Sequence, residues 1–177
     1  MLNPFLRPIG LEIPMSMYAV NVLFRVDDLG EVTLDFKGGL KVRVEKTISS
    51  GLGGVMLKII GHEVSADHPV FGKVTLSQAD IDTTPLSPLE LVKQLPPTFQ
   101  NTIYHDFKCT FGWWPGGGSM VLRNTKTAAL VNNALTVFPP QGSVYHLQEP
   151  MDLAPLGSPD KVVATFKEMH FTVTHNP

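Results

Sequence analysis

His105 is the residue in this sequence best placed for acid and base chemistry. From Thr102 to Phe111 polar and apolar residues alternate strictly, so a strand there puts His105 on one face with Ile103, Phe107, Cys109 and Phe111. That apolar company marks the face as inward. A buried imidazole stays neutral and needs a hydrogen-bond partner. Facing a hollow interior, it would orient a ligand or move a proton. The same parity argument groups Glu63 with Val55, Leu57 and Ile59, which gives the interior a carboxylate, while Tyr104, on the face opposite His105, is a further candidate by type. The plainer reading of His105 is a core histidine satisfied by backbone or water. Cys109 shares its face, and with no sequence neighbour to lower its pKa it reads as an inert buried thiol.

A second cluster is His62-Glu63-Val64-Ser65-Ala66-Asp67-His68, which packs two imidazoles and two carboxylates into seven positions. Those are ligand types that divalent metals accept. The spacing is not that of a zinc-binding helix, because alanine stands at position 66, and in a strand His62 and Glu63 point to opposite faces. His62 and His68 are therefore metal candidates by type alone, and a polar strand end before Pro69 is the plainer reading. Trp113 and Trp114, followed by Pro115 and three glycines, read as an aromatic lip over an opening or as a packed turn. Together with inward-facing Phe107 they are the candidates for ligand contact. Gly51-Leu52-Gly53-Gly54 has Met56 where a dinucleotide fingerprint needs glycine, and Gly117-Gly118-Ser119-Met120-Val121 lacks the last glycine of a nucleophile elbow. Neither phosphate binding at a loop nor serine hydrolysis has support.

The elements that must position these residues are strands. Met17 to Val26 alternates, with Tyr18, Val20, Val22, Phe24 and Val26 read as one face; Asp27 to Gly30 is a turn, and Glu31 to Lys37 alternates in reply. Leu40 to Glu45, Val55 to Val64 and Gly72 to Gln78 continue the pattern, which suggests a five-strand antiparallel meander. One short helix is expected, from Ser87 as N-cap and Pro88 at the first position through Glu90, Leu91, Val92 and Leu95 to the stop at Pro96-Pro97. Ser119 to Asn124, Ser143 to Gln148 and Val162 to His175 follow, and Thr127 to Phe138 reads between helix and strand, tilted towards strands or a bent strand by Asn132-Asn133, Val137 and the Pro139-Pro140 stop. The last needs a bulge near Lys167-Glu168, where the apolar parity shifts from Val162, Ala164 and Phe166 to Met169, Phe171 and Val173. The fold class is thus all-β, a single domain over residues 1–177 with a proline-rich arm at 1–15, built as a meander-type barrel or a sandwich of about ten strands. Closure favours the barrel, since it removes exposed edges.

Composition narrows the function. The chain has 177 residues, 43% of them hydrophobic and a net charge of −2, which argues against disorder and against a dedicated nucleic-acid surface. A single cysteine excludes an intrachain disulfide. No run of about 20 apolar residues suggests a membrane span, and Met1 to Met15 lacks the uninterrupted apolar stretch of an export signal, so a soluble cytoplasmic protein is expected. No cofactor is implied. Three readings remain: a barrel or sandwich that holds a small hydrophobic molecule, a cyclase or isomerase with an apolar cavity served by His105, Glu63 or Tyr104, and a packed interaction domain whose partner is another protein or a second copy in a homo-oligomer.

Overall fold

The computed structural model describes residues 8–27, 29–79, 84–115 and 117–175. Its strands are β1 (Glu12–Val26), β2 (Gly30–Ile48), β3 (Gly54–His68), β4 (Gly72–Gln78), β5 (Ser87–Gln94), β6 (Pro97–His105), β7 (Phe107–Phe111), β8 (Met120–Asn124), β9 (Ala128–Leu135), β10 (Gln141–Leu147), β11 (Met151–Pro155), β12 (Ala164–Glu168) and β13 (His170–His175). All pairings are antiparallel within one sheet. The first part of β1 pairs with β13 and its last part with β12, and β3 likewise pairs first with β5 and then with β4.

Those split pairings reveal a simpler architecture. β4 and β5 run in succession along β3; β6 with β7, β8 with β9, β10 with β11, and β12 with β13 succeed one another in the same way along their neighbours. Each couple is one long stave broken in the middle. With β1, β2 and β3 unbroken, eight staves follow each other up and down and close where β12 and β13 meet β1. The molecule is a closed up-and-down barrel, and closure leaves no stave as a free edge. The antiparallel meander and its closure stand as the alternation suggested, but Glu31 to Lys37 and Leu40 to Glu45 are one strand, β2, which runs through Gly38-Gly39 without turning. Residues 12–78 thus supply four strands of the meander where five were expected; Gly38 serves close approach to β3 there, and neither glycine makes a turn.

The breaks form a seam around the barrel, traced by bridging backbone hydrogen bonds from Ala79 to Asp106, Thr125 to Asp152, Gln148 to Ala129 and Leu147 to Met169. The unbroken staves bend too. β1 slips register between Ala19 and Val22, where Asn21 takes a φ of 54° and its N–H donates to Asp35 Oδ1 at 2.7 Å. β3 slips between Ile59 and Gly61. β12 carries the expected bulge, since Leu23 and Phe24 face Glu168 and Phe166 and skip Lys167.

Three further expectations are corrected. Residues 87–94 form strand β5 and no helix occurs among the described residues: Ser87, Leu89 and Leu91 alternate inward while Val92 and Leu95 stay exposed, because pairing with β3 and β6 outweighs a local helix start. The face assigned to Tyr18 and Val20 is reversed, as the Asn21 bulge turns both outward and turns Met17 and Ala19 in. β1 begins at Glu12, inside the stretch read as an arm, whose residues 1–7 lie outside the described residues.

One half of the interior is aromatic. Phe24, Phe71, Phe111 and Phe166 pack ring against ring, with Phe24 and Phe166 centroids 4.7 Å apart, and Trp114 closes over them at 4.9 Å from Phe111. The other half is walled chiefly by aliphatic side chains, among them Val42, Val55, Leu57, Leu89, Ile103 and Leu130.

Candidate functional site

At the seam between these halves stand two imidazoles. The slip at Ile60 and Gly61 inserts one extra residue in β3 and so reverses its parity: Ile59 points in, and after the bulge His62, Val64 and Ala66 do. His105 ends β6 on the inward parity of Phe99, Asn101 and Ile103. His105 Nε2 lies 2.8 Å from His62 Nδ1, with the rings edge to face at 75° and centroids 4.1 Å apart. One proton serves this contact, donated by one ring and accepted by the other. Both residues are buried. Burial lowers the pKa of His105 to about 4, and burial together with the neighbouring His105 holds His62 well below the usual histidine range, so the pair is neutral at neutral pH. The remaining nitrogen of His105, Nδ1, is buried without a hydrogen-bond partner.

The backbone around the pair is held by amides. Asn124 on β8 accepts from Phe107 N–H at 3.0 Å and donates through Nδ2 to the carbonyls of His105 at 3.1 Å and Lys126 at 2.8 Å. One side chain therefore fixes both ends of the step from β6 to β7 and the start of the step from β8 to β9. Gln78 Nε2 donates to Ile59 O at 2.7 Å, beside the bulge that aims His62. Phe107, inward as expected, lies 5.5 Å from His105 between ring centroids.

Other candidates fall elsewhere. Glu63 is exposed on the outer face, opposite to its expected direction, and Tyr104 takes the outward parity while its N–H donates to Ser87 Oγ at 3.0 Å. The expected interior of His105 with Glu63 is thus replaced by His105 with His62. His68 does not approach His62 as a co-ligand: its Nδ1 accepts from Val70 N–H at 3.1 Å in the turn after β3. Among the described residues no three histidine, cysteine or acidic side chains converge. Trp113 is half exposed, and Trp114 packs on Phe71 and Phe111, so the second tryptophan is a packed end; Gly116 in that turn lies outside the described residues. The tyrosine and amides that reasoning from sequence missed are Tyr145, Asn101 and Asn124, all inward polar groups on strands whose apolar neighbours carried the reading.

No protein-family model and no curated protein sequence matches the chain. Among solved structures it is similar to that of DynF from the dynemicin biosynthesis pathway of Micromonospora chersina, with 19% identity, 97% of this chain and 83% of that chain covered, and a TM-score of 0.77. The likeness is one of fold. DynF thus shares the barrel, and nothing about the His62 and His105 pair follows from it. No helix among the described residues is long and apolar enough to cross a membrane.

Proposed function

We propose that the barrel holds one small, largely apolar molecule in its aliphatic half, with His105 as the polar contact. The observation that carries this reading is Nδ1 of His105, a buried nitrogen on the inward face with no partner, where a bound molecule would complete its hydrogen bonding. Barrels of about eight strands enclose one small ligand elsewhere, and a protein of the same fold serving a biosynthetic pathway agrees with a small-molecule role. The test is native mass spectrometry of the purified chain, then denaturing organic extraction. A mass excess that extraction removes supports the reading and yields the molecule's class; rebinding of the extracted molecule should fall by about tenfold in His105→Ala. A clean mass, and no binding of apolar probes, would sink it in favour of a packed interaction domain.

A second reading, a cyclase or isomerase, is favoured by the direct contact of His105 with His62, which gives a proton taken at Nδ1 a path onward through Nε2. Conversion of the extracted molecule by the wild-type chain, lost in His105→Ala, would establish it.

A further inference from the structure

We infer that the molecule held in the barrel is uncharged and meets His105 Nδ1 through an oxygen, either a hydroxyl or a carbonyl, and that its choice of the two sets the tautomers of His62 and His105 together. This deepens the proposed function and rests on it.

Among the described residues, the interior offers no charged side chain to meet a charged ligand. The buried polar residues are His62, Ser87, Asn101, Thr102, His105 and Asn124, so among the described residues no lysine, arginine, aspartate or glutamate is buried. A charged head group would lose its water there and find no fixed counter-charge. The amides are also engaged with the protein: Asn101 with Tyr145 and Pro88, Asn124 with three backbone groups. His105 Nδ1 is the buried polar atom left over.

The 2.8 Å contact between His105 Nε2 and His62 Nδ1 ties the tautomer of one ring to that of the other. A neutral imidazole carries one N–H, so its two nitrogens have opposite roles. When a ligand carbonyl accepts from His105 Nδ1–H, His105 Nε2 is bare and must accept from His62 Nδ1–H. When a ligand hydroxyl donates to bare His105 Nδ1, Nε2 carries the proton and donates to His62 Nδ1, which leaves the proton of His62 on its own Nε2. The site thus takes either oxygen without a charge forming. A lone histidine in a rigid setting with a fixed donor or acceptor behind it would take only one of them.

Four matched probes separate the outcomes: propylbenzene, 4-propylphenol, 4-propylacetophenone and 4-propylbenzoate, titrated into the wild-type chain at pH 7.5. The phenol and the ketone are expected to bind about tenfold tighter than propylbenzene, and the benzoate more weakly than either. Long-range nitrogen-15 spectra of histidine-labelled protein should show both histidines protonated at Nδ1 with the ketone, and at Nε2 with the phenol. In His105→Phe the three neutral probes should bind alike; should that variant fail to fold, the wild-type titrations and spectra carry the test alone. If none of the four binds, the reading of a ligand-holding barrel fails. If propylbenzene binds as well as the phenol and ketone, or the benzoate binds best, the barrel holds ligands but the inference is overturned. The same tautomers with phenol and ketone would overturn ligand control of the pair, and a proton at Nδ1 of one ring with Nε2 of the other would overturn the coupling of the two rings.

Discussion

Tyr145 on β10 donates its hydroxyl to Asn101 Oδ1 on β6 at 2.6 Å, although β9 lies between those strands in the sheet. Asn101 passes the link on by donating through Nδ2 to Pro88 O on β5 at 2.9 Å. The tie runs along the inner wall, buried at Tyr145 and Asn101 and half-buried at Pro88, with burial also pushing the Tyr145 phenol above its usual range. Tyr145→Phe leaves Asn101 Oδ1 buried without a donor and should cost about 1 to 3 kcal/mol. Urea unfolding should show a lower midpoint at an unchanged slope.

Stability should fall on mild acidification because of His62 and His105. Their folded pKa values lie below the unfolded value of about 6.5, so above that pH both states are neutral and the pair exerts no pull. As pH falls from about 6.5 towards 4, the unfolded chain takes up protons that the folded chain resists, and stability drops by up to about 1.4 kcal/mol per pH unit for each histidine. Glu12 and Glu31, held low by the hydrogen bonds and charges of Lys41 and Lys167, lose their contribution only as pH falls through the ordinary glutamate range of about 4.3 and below, at the acid end of that window. Urea unfolding at a series of pH values should therefore show a slope between 6.5 and 4 that is shallower in His105→Phe.

Two glycines mark where staves approach too closely for any side chain. A Cβ at Gly38 would run into the carbonyl oxygen of Glu63, and one at Gly54 into that of Leu89. Gly61 has only Lys41 Cβ within range, at 3.8 Å. Gly38→Ala and Gly54→Ala should each destabilise by about 1 to 3 kcal/mol, whereas Gly61→Ala should change little. Thermal melting of the three variants side by side checks the contrast.

Cys109 should be silent in the folded protein. It is fully buried on the inward face of β7, and burial pushes its thiol well above the usual range. A thiol reagent at pH 8 should label it only at the rate of unfolding, and denaturant should expose one reactive thiol per chain.

The parity shift near Lys167 shows how the sequence can reveal a bulge: Val162, Ala164 and Phe166 on one side disagree with Met169, Phe171 and Val173 on the other, and the structure puts the bulge there. The same test applied to β3 sets Leu57 and Ile59 against Val64 and Ala66, and would have turned His62 inward and Glu63 outward. Reading that strand as one unbroken parity lost the site. The helix expected at Ser87 failed for a different reason, since its capping residues are local and the strand partners that overrule them are not.

Alternation alone therefore determined the all-β class, the antiparallel meander and the inward face of Ile103, His105, Phe107, Cys109 and Phe111, because side-chain direction in a strand repeats every two residues whatever the strand pairs with. Only the tertiary structure decided that five staves break along one seam, that the sheet closes on β1, and that His62 meets His105. Those depend on register between strands and on bulges that cost nothing visible in composition, and the pair itself joins residues 43 positions apart. A one-residue slip reverses a face, so local pattern cannot say which side chains share the interior until every neighbouring stave is in place.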